Sequence, residues 1–291
     1  MARQYLIIIS LLTIVFIGFQ NCSEVDFANT DLSRLVDPAD AVCDPFSNTD
    51  NTEVTAQNGL VGQLRYLVMG VHGDSRSELN SRDLDYYANE AVPADGVLFF
   101  SQVNTPTMSF DQGFRNGAGQ ILQNPVTMDD LVEWFSMHFE TRLVLGMADS
   151  EAEYQLAILS DDGSSLYIDD NGNWQQMINN DGTHPARLIC ASETISMTYD
   201  SEVPIRLNYF QGPRTEIAFQ VLWREVPPGG DLSDPLCGVT GSSTFFTGYQ
   251  NGGTSVPTQA YMDFMDRGWK VLEPQNYRLP VTVQSNPCVD Q

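Results

Sequence analysis

A series of short apolar runs between dense turn signals restricts the fold more than any other feature of this sequence. Two of these runs end at the turn sequences Ser-Asp-Asp-Gly (160–163) and Asp-Asn-Gly (170–172). Residues 203–210 alternate apolar with polar side chains, and 217–223 form another apolar run. Runs of this length are typical of strands, because helices usually need ten or more residues. The pattern predicts an all-β protein, an antiparallel β-sandwich.

One or two short helices are expected beside the strands. In the stretch 128–138, Met128, Leu131 and Phe135 have helical spacing, which predicts a helix that packs on the sandwich. Residues 261–265 are a second candidate for a helical turn.

The length of 291 residues allows one large domain or two modest ones. Changes of composition predict a signal segment at 1–21, an acidic tether at 22–58, a sandwich at 59–228 and a C-terminal appendage at 229–291. The appendage is expected to pack on the sandwich and to be held by a disulfide.

The first residues have the composition of an export signal. Arg3 precedes an apolar run at 5–19, and about fifteen residues are too few for a helix that spans a bilayer. The sequence before Cys22 resembles a bacterial lipoprotein signal, in which the cysteine carries the lipid. Ser23 then favours the outer membrane or cell surface. The alternative is ordinary secretion without an anchor.

The cysteine count agrees with export. The five cysteines are Cys22, Cys43, Cys190, Cys237 and Cys288. If Cys22 carries lipid, four remain for two disulfides in an oxidising compartment. Four cysteines allow three pairings, and we prefer Cys237 with Cys288, which would hold the appendage, and Cys43 with Cys190.

The charge of the chain excludes one class of partner. There are 38 acidic against 14 basic residues, for a net charge of -24. Such a surface repels nucleic acid and attracts divalent cations. We therefore expect no nucleic-acid partner.

Several sequence blocks, in order, resemble the domain family named after the N-terminal part of anthrax protective antigen (the PA-fourteen module). The blocks are 59–62, 154–163, 166–169, 180–184, 203–210 and 218–223. The resemblance covers roughly 59–226 and is loose between about 73 and 124, a segment that it leaves unexplained. It implies a β-sandwich of the kind found in fungal flocculins and adhesins, in toxins and as an accessory module of glycosidases.

The resemblance also implies a metal site. In the lectin members, two adjacent aspartates bind calcium, often through a cis peptide bond, and the calcium holds sugar hydroxyls. These positions are Asp161 and Asp162 here, and Gln211 stands on the second calcium loop where an asparagine is expected. Carboxylate and amide oxygens are the ligands that calcium prefers. The alternative is that Asp-Asp-Gly is a plain hairpin turn without metal.

Two further features of the sequence are relevant to ligand binding. Trp174 is a candidate for stacking on a sugar ring near the binding edge, and partly buried packing is the alternative. An EF-hand at 169–173 fails, because Gly172 at loop position six would put Tyr167 and Ile178 at the two main ligand positions.

Nothing in the sequence indicates catalysis. The three histidines, His72, His138 and His184, stand far apart, and we expect His138 and His184 to have packing or turn roles. Metalloprotease, nucleophile-elbow and phosphate-loop motifs are missing from the sequence. We therefore expect a lipid-anchored surface module that binds a glycan or another cell-surface ligand with calcium, and not an enzyme. The alternative is a structural or assembly module of the envelope that binds no sugar.

Overall fold

Two stacked β-sheets form the framework of the part of the chain that the computed structural model describes, which comprises residues 37–46, 55–214 and 216–289. Sheet A contains nine strands: β1 (Ala41–Cys43), β2 (Leu60–Tyr66), β3 (Val92–Pro93), β4 (Val97–Phe100), β6 (Phe135–Leu143), β8 (Ser164–Asp170), β9 (Asn173–Asn180), β11 (Val203–Gln211) and β16 (Tyr277–Arg278). Sheet B contains five strands: β5 (Asn104–Ser109), β7 (Ala152–Asp161), β10 (Arg187–Met197), β12 (Glu216–Val226) and β15 (Lys270–Val271). The short strands β13 (Phe246–Thr247) and β14 (Val256–Pro257) pair with each other.

The strand order identifies the architecture. Sheet A has the order β1-β4-β2-β6-β11-β8-β9, with β3 on β2 and β16 on β6. Sheet B has the order β10-β7-β12-β15, with β5 on β12. Within the described ranges every pair of strands is antiparallel except β1 with β4. The predicted antiparallel β-sandwich is confirmed.

The main core lies between the two sheets. On β6 the residues Phe135, Met137 and Phe139 alternate with polar ones and are buried in this core. The β8–β9 hairpin turns at Asn171 and Gly172, which have φ values of 55° and 89°, as the Asp-Asn-Gly signal predicts.

Sheet B is buried on both faces. On β12, Phe219 and Val221 belong to the core against sheet A, whereas Ala218 and Leu222 belong to a second core with the appendage. The appendage contributes apolar side chains to this second core: Leu236, Phe245, Phe246, Tyr249, Tyr261, Phe264 and Trp269. Burial on both faces explains why apolar residues in 217–223 occur on both faces of the strand and do not alternate with polar ones.

Four short α-helices occur in the described ranges: α1 (Arg76–Leu79), α2 (Leu84–Glu90), α3 (Ser242–Phe245) and α4 (Gln259–Asp266). The helical turn predicted at 261–265 is confirmed by α4. None of the described helices has the length and apolar composition needed to cross a bilayer.

The helix predicted at 128–138 is wrong. Met128 and Trp134 have φ values of 62° and 53°, which a right-handed helix does not contain, and β6 begins at Phe135. The alternation of Phe135, Met137 and Phe139 was the stronger signal. Leu131 is buried in the main core without a helix.

The predicted disulfide pairing is also wrong, although all four cysteines form bridges. Cys43 pairs with Cys288, and Cys190 pairs with Cys237. The appendage runs beside the edge of sheet B, where Leu188 exchanges backbone hydrogen bonds with residues 238 and 239. This places Cys237 next to Cys190, and a disulfide still holds the tail, through Cys288.

A polar network crosses the outer face of sheet A. His138, expected on a helix, lies on β6 between Ser136 (Oγ to Nε2, 3.0 Å) and Asn208 (Oδ1 to Nδ1, 3.0 Å). Asn208 in turn donates to the Ser165 hydroxyl. A neutral imidazole satisfies both neighbours, since one ring nitrogen donates and the other accepts. Burial lowers the pKa of His138 from 6.5 to about 4.

We expect this histidine to make the protein sensitive to acid. Because the pKa is lower in the folded state, the stabilisation by neutral His138 is complete above pH 6.5 and is lost as the pH falls toward 4. Between pH 7.5 and 5, wild type should lose about 2 kcal/mol of unfolding free energy relative to His138→Gln. Urea unfolding of both proteins at the two pH values measures this difference. Identical pH dependence in both proteins would contradict the assignment.

Candidate functional site

The Asp-Asp-Gly motif forms a corner between the two sheets. Asp161 ends β7 in sheet B, and Ser164 begins β8 in sheet A. The two strands lie in different sheets and do not pair, so the motif connects the sheets and is not a hairpin turn. The peptide bond between Asp161 and Asp162 is cis, as the family resemblance implies. Gly163 is required here, because a Cβ would lie 2.3 Å from Cε1 of Phe210.

Asp162 is held by the backbone of two loops. The N–H of His184 donates to Oδ1 and the N–H of Gly212 donates to Oδ2, both at 2.8 Å. A Cβ on Gly212 would lie 3.1 Å from Asp162 Oδ2, so this loop approaches the carboxylate closely. These two hydrogen bonds fix the orientation of the Asp162 side chain, and the residue is 2% exposed.

Asp161 is covered by the appendage. Ser242, the first residue of α3, donates from its hydroxyl to Asp161 Oδ2 at 3.3 Å. The Tyr209 hydroxyl lies 2.5 Å from the backbone carbonyl oxygen of Asp161. These contacts leave Asp161 7% exposed.

The two adjacent carboxyl groups are buried together, which disfavours their ionisation. Burial raises the pKa of both aspartates. The charges of Asp162 and Glu216 raise the pKa of Asp161 further, whereas the backbone donors to Asp162 partly offset its rise. Within the described ranges neither carboxylate forms an ion pair with lysine or arginine. A bound cation would stabilise the ionised pair.

Gln211 lies beside the pair but does not present an oxygen to it. Its Nε2 donates to the carbonyl oxygens of Pro213 (2.8 Å) and Glu216 (3.0 Å) and lies 3.5 Å from Asp162 Oδ2. Its Oε1 lies 2.6 Å from the Tyr209 hydroxyl. In this arrangement Gln211 does not fit the predicted role of metal ligand.

Trp174 is far from the aspartates. It pairs with Asp169 on β8, whereas Ser164, next to the corner, pairs with Asn180. Five residues of strand separate the two positions, which is about 17 Å. The guanidinium of Arg206 also lies 4.0 Å from the centre of the Trp174 ring. The structure therefore does not bring Trp174 to the predicted binding edge.

Sequence reasoning missed a second aromatic residue, Trp134, which does lie at this edge. Its backbone N–H donates to the carbonyl of Gly212 at 3.0 Å. Its ring N–H donates to Asn80 Oδ1 at 2.8 Å, and Thr183 donates to the carbonyl of Asn80. Asn80 lies in the segment 73–124, where the resemblance is loose, so no sequence signal placed it here.

The chemistry of the aspartates fits a hard cation. Within the described residues there is no group of three or more His, Cys, Asp and Glu side chains arranged to hold a metal. Calcium takes six to eight oxygens, and two carboxylates supply only part of that shell. Asp161 and Asp162 would hold the ion, and water and ligand hydroxyls would have to complete its coordination.

Comparison with known proteins finds a family similarity that includes this corner. The family model of the PA14 domain matches residues 134–235. The match includes both aspartates, Gln211 and Trp174. Among curated proteins none matches this chain.

Solved structures with similar folds have low sequence identity. They include a PA14 sugar-binding domain from an RTX adhesin, with 18% identity, TM-score 0.38, and coverage of 61% of this chain and 94% of the other. The PA14 domain of the MpAFP antifreeze protein has 14% identity, TM-score 0.38, and coverage of 82% and 100%. The Epithelial Adhesin 9 A domain from Candida glabrata, in complex with Galβ1-4GlcNAc, has 13% identity, TM-score 0.34, and coverage of 63% and 87%. The sequence match to the PA14 domain family covers residues 134–235, about a third of the chain.

Proposed function

We propose that this protein is a non-enzymatic module that recognises carbohydrate at the Asp161–Asp162 corner with the help of calcium. The observation that carries the proposal is the pair of buried, adjacent carboxylates, which have no basic ion-pair partner among the described residues. A divalent cation would neutralise them and leave coordination positions for hydroxyl groups. The family match supports the proposal, because it includes Asp161 and Asp162, which the resemblance implies as calcium ligands.

Glycan binding with and without a chelator tests the function. We expect wild type to bind a subset of glycans on an array in calcium and to lose them in EDTA. Asp161→Asn with Asp162→Asn should lose the same glycans. Asp129→Asn with Asp130→Asn removes two adjacent acidic charges elsewhere and should behave like wild type. Binding that persists in EDTA would contradict the role of calcium.

A second candidate is a structural or assembly module of the envelope that binds no sugar. The cover that Ser242 and the backbone of residues 184 and 212 form over the aspartates favours it, because both carboxylates are nearly inaccessible. In that case a cation would fix the corner without contacting a ligand. The same glycan array distinguishes the two candidate functions. A structural module should bind no glycan on the array, although calcium should still stabilise its fold.

We further propose that the protein is exported and held at the outer membrane or cell surface by lipid on Cys22. Two disulfides support export, because such bridges persist in oxidising compartments. Cys22 and the predicted signal segment lie outside the described residues. Cys22→Ser should release the protein from membranes or leave an unprocessed precursor. Unchanged membrane partition and mature mass would contradict the anchor.

A further inference from the structure

Two arginines lie close together beside the aspartate corner. Arg76 and Arg214 both donate to Oε1 of Glu133, from Nη1 at 2.9 Å and from Nη2 at 3.0 Å. The two guanidinium nitrogens are therefore within about 6 Å of each other. Each arginine side chain is 50% exposed, whereas the Glu133 side chain is 7% exposed. The buried carboxylate holds two guanidinium groups toward solvent.

The charges of this cluster do not cancel. Burial opposes ionisation of Glu133, but hydrogen bonds from Arg76 and Arg214 keep its pKa below the ordinary value. One carboxylate thus faces two permanent cations, so these three side chains together carry a net charge of +1. Glu133 is the one carboxylate in the described ranges that forms an ion pair with either arginine.

The cluster is contiguous with the aspartate corner. Gly212 connects them, because its N–H donates to Asp162 and its carbonyl accepts from the N–H of Trp134. The Arg76 guanidinium lies 4.5 Å from the centre of the Trp134 ring. A ligand at this edge would meet an aromatic ring, two guanidinium groups and any cation at the aspartates.

We infer that Arg76 and Arg214 form an oxyanion subsite, and that the glycan bound at this edge is acidic, bearing a carboxylate or a sulfate. The inference rests on the proposed function, since it assigns the class of glycan to that site. Guanidinium groups bind carboxylate and sulfate oxygens through paired, charge-assisted hydrogen bonds. The donors of Arg76 and Arg214 that Glu133 does not use supply them.

A second cluster also contains two arginines and one glutamate, but its arginines are less exposed. Arg142 and Arg278 share Glu202, but the Arg142 side chain is only 15% exposed and donates to the carbonyl of Leu279. Of its two arginines, only Arg278 has an exposed side chain, at 46%. The Glu133 cluster is the one of these two that offers a pair of exposed guanidinium groups.

Three oligosaccharides of equal length test the inference in calcium: a neutral galactan fragment, an oligogalacturonate and a sulfated galactan fragment. We expect at least one acidic probe to bind wild type about tenfold more tightly than the neutral probe, and to weaken at higher ionic strength. Arg76→Gln with Arg214→Gln should abolish that preference. Arg115→Gln with Arg278→Gln removes two exposed positive charges elsewhere and should keep it. The two acidic probes distinguish carboxylate from sulfate.

The variant Glu133→Gln distinguishes a loss of binding through the arginines from a loss through misfolding. It keeps both arginines and an oxygen for them to donate to, but raises the local charge from +1 to +2. Binding of the acidic probe should therefore become tighter, which damage to the fold would not produce. Weaker acidic binding by this variant would overturn the subsite. Calcium-dependent binding of neutral and acidic probes with equal affinity would overturn the subsite and leave the proposed function intact. No binding of any probe would overturn both.

Discussion

Calcium is expected to raise the melting temperature of the wild-type protein by about 5 to 10 °C, and magnesium is expected to raise it far less. A ligand that binds only the folded state adds about 2.7 kcal/mol when its concentration is a hundred times its Kd. Calcium suits the corner because it tolerates irregular shells of carboxylate oxygens. Magnesium demands a small octahedron and keeps several waters.

The comparison between the two ions is needed because the net charge of -24 allows any divalent cation to stabilise the fold by screening. Asp161→Asn with Asp162→Asn keeps the shape of the corner and removes both charges. In this variant, calcium and magnesium should raise the melting temperature by the same amount. Asp129→Asn with Asp130→Asn changes the net charge equally and should retain the difference between the two ions. Equal shifts for both ions in wild type, measured by thermal unfolding, would leave the corner without a specific cation.

Loss of the Cys43–Cys288 bridge is expected to cost about 5 kcal/mol of unfolding free energy. The bridge joins residues 245 apart, so it greatly restricts the unfolded chain. Both cysteines are replaced by serine, since a single free thiol would exchange with the other bridge. Denaturant unfolding of Cys43→Ser with Cys288→Ser measures the effect.

The second bridge gives a matched comparison. Cys190 and Cys237 are 47 residues apart, so Cys190→Ser with Cys237→Ser should cost about 4 kcal/mol, slightly less than the longer loop. Peptide mapping without reduction checks the pairing itself. A peptide in which Cys237 is joined to Cys288 would contradict the structure. An unchanged unfolding free energy of either double variant would contradict the idea that the bridge stabilises the protein by restricting the unfolded chain.

Local patterns in the sequence were sufficient for the sandwich. The Asp-Asn-Gly turn and the alternation on β11 predicted the strands correctly, because both depend on neighbouring residues. At 128–138 an apparent helical spacing was misleading, since the left-handed backbone at Met128 and Trp134 is not encoded by apolar periodicity. Cysteine pairing depends on which segments become neighbours in space, so sequence alone did not identify it.

The candidate site was only partly accessible from sequence. The family resemblance identified Asp161 and Asp162 and implied the cis peptide bond that the structure contains. It did not predict that Gln211 turns its amide nitrogen toward Asp162, because that orientation depends on the carbonyl groups of Pro213 and Glu216. The cover from Ser242 belongs to the appendage, and Arg76 lies where the resemblance is loose.

The second core has a practical consequence for anyone who shortens this protein. The family match ends at residue 235, but the side chains that cover Ala157, Leu159 and Leu222 come from beyond it. A fragment that stops at the family boundary would expose the apolar outer face of sheet B to water and lose both disulfide partners in the tail. Such a fragment should aggregate on expression. The smallest piece of this chain that folds as a soluble unit is therefore larger than the family segment and extends through the residues after 235.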